Sequence, residues 1–594
     1  MRKLVCALLS AAVLRAAPSF LLPTDAVPVK YKLDLTVDPA RPTFDGAIQI
    51  DVDIHKPTPV LWLNAKDLVV QDATIDFAGH THSARLETSG GEFLGLKPDM
   101  PLGPGRATVS LHYHGRLDDK LVVGAFRRKV EGNWYVYTTF TPIEARRAFP
   151  CFDEPRFKTP WEISLRVPSG NLAFSNAAET AESDQSDGST LVRFAPTQPL
   201  PTELVAFAVG PFTAFEGPPA LPDGTPVRVL TPKGHAAEGK AALDATRDVL
   251  PKLEAYTGIN YPFGKLDHVS LADAGFGAVE NPGLIVYLAR ELLIAPGSDT
   301  AVRTRALRSL EAHEIGHQWF GDMVTQASWT DVWLSEGFAT WISAKIMDAE
   351  QPPERAHVAA IVARERIMHV DEAPHTRPVR VEIASRGASK DIYNRIIYDK
   401  GASVLMMLDG WLGEDRVREA MHAYLTDHRF GNATTADLAS ALHAAAGIDP
   451  APVLRSFLDS TGVPRVSVDL ECTGPTAKLT LHQTGATAIP ICYRGDGVTK
   501  TCTILETPSR EIDLAACPTW IYPNAGGTGY YRVSWTARQL ATLPLEKLTP
   551  AERLTLANDL KALKTSEARP VLARLAADPQ PEIASAARET PAKN

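Results

Sequence analysis

His313, Glu314 and His317 form the pattern His-Glu-x-x-His within Glu311-Ala-His-Glu-Ile-Gly-His-Gln-Trp-Phe320. Glu336 follows after a gap of eighteen residues, inside Trp333-Leu-Ser-Glu-Gly-Phe-Ala-Thr340. Two histidines four apart on a helix rise from one face, separated by about one turn, so their imidazoles can converge on a single cation. A catalytic zinc takes three protein ligands and keeps its fourth position for water or substrate. His313, His317 and Glu336 are the three ligands this spacing offers, and one Zn2+ per chain is expected. Glu314, one residue on from the first ligand, is left to exchange protons with the water. A bare His-Glu-x-x-His also occurs on ordinary amphipathic helices; the second glutamate at this separation is an independent match to the same site.

These residues need helices to hold them. Between about Pro218 and Val463 the apolar pattern has a helical period, with segments starting near Ala237, Thr300, Trp333, Glu354, Gly401, Asp415 and Thr435. Two of these segments carry the zinc residues. Ahead of this block, from Val27 to about Glu216, apolar and polar residues alternate at period two, as in Tyr31–Val37, Ala47–Ile54 and Ala107–Tyr113, which predicts a β domain. Behind it, from Pro464 to Trp535, short strands recur as in a small β-sandwich. The rest reads as helix, opened by the capping box Thr549-Pro-Ala-Glu552.

The whole chain sets limits on function. Its 594 residues suffice for several domains, and 44% hydrophobic with 22% charged residues is ordinary globular composition. A net charge of -9, with no lysine or arginine run, argues against a nucleic-acid partner. Arg2 and Lys3 precede an apolar run from Leu4 to Leu14 and small residues at Ala16 and Ala17, the layout of a signal peptide. That run is too short to span a bilayer, and no other stretch is long and apolar enough for stable membrane insertion. The expectation is export to the periplasm or medium. Cys472, Cys492, Cys502 and Cys517 cluster in the second β region while Cys151 stands apart, so two disulfides are expected, with a Cys492–Cys502 hairpin staple favoured among the three pairings.

Several further segments, taken in order, resemble the aminopeptidase N family of gluzincin zinc metallo-aminopeptidases. Ala145-Arg-Arg-Ala-Phe-Pro-Cys-Phe-Asp-Glu-Pro155 is similar to a signature of the family's N-terminal β domain. Gly277-Ala-Val-Glu-Asn281 resembles its Gly-Ala-Met-Glu-Asn exopeptidase motif, Tyr398-Asp-Lys-Gly-Ala402 the segment bearing its catalytic tyrosine, and Gly529-Tyr-Tyr-Arg-Val533 the end of its β-sandwich. The resemblance implies a multidomain α+β fold. Its parts are a leader over 1–17, an N-terminal β-saddle domain over 18–216, a thermolysin-like zinc catalytic domain over 217–463, a β-sandwich over 464–536 and a short helical segment over 537–594. It also implies hydrolysis of the N-terminal peptide bond of peptides with a free N-terminus. Glu314 would act on water, Tyr398 would donate to the oxyanion, and Gly277, Ala278, Val279, Glu280 and Asn281 would bind substrate, with the Glu280 carboxylate pairing with the α-ammonium.

Two departures bear on the first side-chain pocket. Thr141 stands where the family carries a glutamate or glutamine near the amine, and Pro282 where tryptophan is common. Two other readings share the scaffold: a relative that opens a lipid epoxide, which no residue singles out, and a peptide binder without catalysis, which would not need a general base such as Glu314. Nothing points to a particular oligomeric state. About sixty residues follow Val533, enough for two or three helices. Relatives often place a large helical roof there, so a more open site is expected, with Arg569 or Arg574 as candidate contacts for a peptide's far end.

Overall fold

A computed structural model describes residues 17–348, 353–389, 391–485 and 488–588. The expected leader lies outside these residues except for Ala17.

The N-terminal region is built on an eight-stranded sheet. Strands β1 (Ala26–Val37), β2 (Thr43–Ile54), β3 (Gly105–Arg116) and β4 (Trp161–Pro168) form its centre in the spatial order β4, β1, β2, β3. β1 pairs with β4 in parallel, and every other pair in the sheet is antiparallel. The alternation seen in sequence becomes one buried face, with Leu33, Leu35, Ile48, Ile50, Val109, Leu111 and Leu165 in its core. A second sheet of four strands (Leu172–Ser175, Phe207–Gly210, Asn133–Thr139, Gly124–Val130) shares a core with Leu230, Val269, Leu271, Leu284 and Val286 of the following region.

The helical segments expected between about 218 and 463 do not account for a sheet at the head of that region. A five-stranded sheet occupies its start: Phe212–Glu216, β5 (Val227–Pro232), β6 (Leu266–Leu271), β7 (Ala278–Val279) and β8 (Leu284–Leu288), in the spatial order Phe212–Glu216, β5, β6, β8, β7. β5, β6 and β8 are parallel to one another. Every residue of β6 and β8 is buried, so these strands show no period-two alternation, and short runs buried on both faces cannot be told from helix by periodicity.

The helices follow as read: α1 (Lys240–Thr257), α2 (Ala301–His317), α3 (Trp333–Asp348), α4 (Pro353–Asp371) and α5 (Gly401–Leu412), the last entered through a π-turn at Ile396–Lys400. Thr300 starts α2 by accepting the Arg303 amide at 3.2 Å, which satisfies one of the free N–H groups of the first turn. α1 packs on α2, and α2 on α3. Among the described residues no helix is long and apolar enough to cross a membrane.

The second β region forms two facing sheets. Cys492 and Cys502 sit opposite each other on paired strands and are bridged, as are Cys472 and Cys517; Cys151 is buried and free. Among the described residues the tail holds four helices, where two or three were expected: Ala537–Thr542, α6 (Pro550–Leu563), Arg569–Leu575 and Pro581–Arg588. The capping box is formed, with Thr549 Oγ1 accepting the Glu552 amide at 3.2 Å and Glu552 Oε2 accepting the Thr549 amide at 2.8 Å.

α6 is tied to α4 through a buried junction. Arg364 of α4 donates to the Gly527 carbonyl, to the Gly529 carbonyl at 2.9 Å, to Thr555 Oγ1 at 3.1 Å and to Glu365 at 2.6 Å, while Arg532 reaches Glu365 and, at 3.3 Å, Glu372. Removing a buried guanidinium whose two terminal nitrogens donate to Gly527, Gly529, Glu365 and Thr555 strands those acceptors, the Glu365 carboxylate among them. Arg364→Met is therefore expected to destabilise the protein by about 3 kcal/mol in urea unfolding. A loss under about 1 kcal/mol would mean the junction behaves like an exposed ion pair.

Candidate active site

α2 ends at the His-Glu-x-x-His segment, and α3 begins three residues before Glu336. Packing the end of one helix against the start of the next brings the three expected ligands together. His313 Nε2 lies 3.2 Å from His317 Nε2, and Glu336 Oε2 lies 3.5 Å from the first and 3.4 Å from the second. Three corners of a tetrahedron with metal bonds of about 2.0–2.2 Å are about 3.3–3.5 Å apart, so two nitrogens and one oxygen stand where a zinc ion fits. The tautomer is set as well. His317 Nδ1 lies 3.1 Å from the Phe320 carbonyl and 3.0 Å from Ser335 Oγ, so a proton is held on Nδ1 and Nε2 is the nitrogen that would turn a lone pair to a metal.

Charge in this space is unbalanced. Glu280, Glu314 and His317 present atoms within 4.8 Å of one another, beside Glu336. Burial opposes ionisation of Glu336, but the charge of His317 and hydrogen bonds from both histidines bring its carboxyl down to about 2. Burial raises the Glu314 carboxyl, with His317 opposing and Glu280 and Glu336 adding to the rise; burial and Glu336 likewise raise Glu280 against the pull of His317. A divalent cation at this cluster would balance its charge.

Tyr398 arrives from the π-turn ahead of α5. Its ring lies 6.1 Å from that of His313, and burial together with Glu336, Glu280 and Glu314 raises its phenol, which therefore keeps its proton. The placement follows from a close approach of two glycines. A Cβ on Gly337 would come within 3.1 Å of the Gly401 Cα, so α3 and α5 can touch backbone to backbone only where both lack side chains. Gly337 follows Glu336, and Gly401 lies three residues past Tyr398. Lys400 between them is structural, paired with buried Asp371 at 2.8 Å, which also accepts from Tyr530 at 3.1 Å.

Gly277–Asn281 forms the facing wall. Leu288 donates to the Gly277 carbonyl at 2.8 Å, and Ala278 and Val279 of β7 pair with Tyr287 and Val286. Gln318, immediately after the second histidine, ties this wall to α2: its Nε2 donates to the Glu280 carbonyl at 2.9 Å and to Asp322 at 2.8 Å, and its Oε1 accepts from Gly283 and Tyr261, each at 3.1 Å. Asn281 is buried, and Asn176 of the N-terminal region donates to the Pro282 carbonyl at 2.9 Å. Gly283 has φ +68°, and a Cβ there would sit 2.3 Å from the Asn176 carbonyl oxygen.

These elements enclose a cleft of about 710 Å³, with Gly277, Ala278 and Glu280 on one side and His313, Glu336 and Tyr398 on the other. Thr141 lies off this cleft, on a small cavity behind Glu280. The tail arginines proposed for a peptide's far end are not in the cleft lining; Arg574 lies 3.9 Å from Glu546. The tail instead contributes Thr549, Pro550 and Ala551 to a second cavity of about 1080 Å³, which meets the cleft at Thr340 and Asp399. Sequence reasoning missed Gln318, Arg395 on the cleft, and Glu203, Asp322 and Tyr393 around the small cavity. Gln318 was signalled by its place beside the second histidine; the others carry no local signature.

The model of the peptidase family M1 domain matches residues 241–460, and that of the peptidase M1 N-terminal domain matches residues 27–204. Aminopeptidase M1-C of Oryza sativa subsp. japonica is 32% identical over 568 residues, covering 91% of this chain and 64% of the relative. Aminopeptidase M1 of Arabidopsis thaliana is 32% identical, covering 91% and 65%, and "Aminopeptidase 2, mitochondrial" of Saccharomyces cerevisiae is 31% identical, covering 92% and 59%. The chain thus spans just under two thirds of the length of the relatives it matches. The expectation of a periplasmic or secreted protein is corrected by this comparison: the relatives do not support it, and the yeast protein is named for the mitochondrion. The leader on which that expectation rested lies outside the described residues.

Gly283→Ala tests the wall's geometry. A left-handed backbone costs a non-glycine residue about 1–2 kcal/mol, and the contact with Asn176 must open as well, so thermal unfolding should show a loss of at least about 2 kcal/mol. A neutral substitution would show that the Asn176 bridge is not rigid.

Proposed function

This chain belongs to peptidase family M1, and from that premise we propose that it is a zinc-dependent aminopeptidase that hydrolyses the N-terminal peptide bond of peptides. The observation that carries the reading is the distance from the exopeptidase carboxylate to the metal corner. Glu280 lies within 4.8 Å of His317 and Glu314. In a peptide the α-amine and the carbonyl carbon of one residue are about 2.5 Å apart. An ammonium held by Glu280 therefore sets the carbonyl of that same first residue over the ligand triad, and an internal bond has no such anchor.

His313, His317 and Glu336 would hold the zinc, which when bound supplies an acidified water and a Lewis acid for the scissile carbonyl. Glu314, behind the first ligand, takes the proton of the attacking water and hands it to the departing amine. Tyr398 donates its phenolic proton in a hydrogen bond to the oxyanion as charge grows there; its raised pKa supports a donor role rather than a base. Gly277 and Ala278 line the substrate cleft beside Glu280, Val279 and Asn281 hold that wall in place, and Thr141 belongs to the surroundings of the amine.

Glu314→Ala should leave zinc bound and lower kcat by about 10²–10⁴-fold, measured by metal analysis beside steady-state kinetics. Loss of the metal, or turnover near normal, would remove Glu314 from the proton-transfer role. Peptides with an acetylated N-terminus should be refused because they lack the ammonium. Their rapid cleavage would make the enzyme an endopeptidase.

A further inference from the structure

Behind Glu280 lies a cavity of about 10 Å³, room for one water-sized group, lined by Thr141, Glu203, Glu280, Asp322, Gln326 and Tyr393 among others. Its polar lining consists largely of acceptors left without partners. Thr141 Oγ1, Glu203 Oε2, Asp322 Oδ1 and Gln326 Oε1 are all buried and make no hydrogen bond. Glu203 is 4% exposed and Asp322 fully buried. Buried acceptors are normally satisfied, and four of them around one small space call for a group with several donors and a positive charge. An alkylammonium head has the size of a water and carries three donors. Lys158 nearby does not meet this need, since its ammonium donates to the Asp322 and Met323 carbonyls at 2.8 and 2.9 Å.

We propose that Glu203 is a second carboxylate anchor for the α-ammonium of the substrate, facing Glu280 across this cavity; the proposal rests on the aminopeptidase reading above. The fold holds the two acids in fixed relation. Glu203 lies on a 3-10 turn, Thr202–Leu204. Thr202 Oγ1 donates to Asp153 at 2.7 Å, and Asp153 is clamped by buried Arg146 at 2.8 Å. This is a function for the Ala145–Pro155 signature: it fixes the turn. Asn176 then joins turn and wall, donating to the Leu204 carbonyl and to the Pro282 carbonyl, each at 2.9 Å. The residue after Glu203 and the residue two past Glu280 thus hang from one amide. Burial, then Asp153, Glu280 and Asp322, raise the Glu203 carboxyl, with Lys158 alone opposing, which is the strain an incoming ammonium relieves.

The test uses the full-length zinc enzyme. Glu203→Gln, close in shape, should raise KM for a free-amine aminoacyl substrate by about 10–100-fold, the worth of one charged hydrogen bond, while kcat falls far less. Adding Thr141→Glu, which returns a carboxylate to the same cavity, should recover most of the loss. A matched pair of hydroxamates with and without an α-amino group reads the site without turnover. Wild type should prefer the amine, and Glu203→Gln should lose most of that preference while binding the amine-free compound as before. Thr141→Lys, which keeps Glu203 and fills the cavity with an ammonium, should weaken the amino hydroxamate alone. An unchanged preference in Glu203→Gln, or equal weakening of both compounds, overturns the proposal while leaving Glu280 as the anchor. A wild type with no preference for the amine overturns the aminopeptidase reading with it.

Discussion

Three carboxylates and two imidazoles meet on the wall of one cleft, where Glu280, Glu314 and Glu336 face His313 and His317. Like charges at such range cannot all be ionised without positive charge to balance them. Much of the surrounding architecture keeps these groups from drifting apart. α2 delivers the histidines, α3 delivers Glu336, and the glycine contact between α3 and α5 brings Tyr398 in behind them. In the proposed function two cations would resolve the strain: a divalent ion at the triad and an ammonium at Glu280. Ligand binding and charge balance are then one event, which is how a site becomes selective for a positively charged terminus.

The segments that carry the family resemblance are mutual supports. Gln318 stitches the Glu280 wall to the end of α2, and Asn176 stitches that wall to the N-terminal sheets. Arg386 of the catalytic region reaches back to Glu92 and, at 2.6 Å, to Glu144, flanking the same signature. Lys400 and Tyr530 meet on Asp371, so the tyrosine segment and the end of the β-sandwich share one buried carboxylate. Such a network transmits position from three parts of the chain to a site a few ångströms wide.

What could be read from the sequence was whatever repeats locally or matches a spacing. β1 and β3 alternate because one face of their sheet is buried, and α2 declares itself through Thr300 and the histidine pair. The grouping of His313, His317 and Glu336 was legible because the chemistry expected of them requires residue types at fixed separations. The strands β6 and β8 were not, since burial on both faces erases the alternation. Nor were Glu203 and Asp322: they come from distant segments and meet only through tertiary packing, and neither sits in a pattern that its chemistry demands. Gln318 lay beside a motif, yet its four hydrogen bonds are visible only once the wall it holds is in place.

The central claim is that His313, His317 and Glu336 gather one zinc on which hydrolysis depends. Zinc-edge X-ray absorption on the purified protein, with activity followed through chelation and zinc return, tests it most directly. The account predicts one zinc per chain with two imidazole nitrogens and carboxylate oxygen at about 2.0–2.2 Å, and activity that leaves and returns with the metal. A sulfur-ligated zinc, or peptide hydrolysis that survives complete removal of the metal, would contradict it.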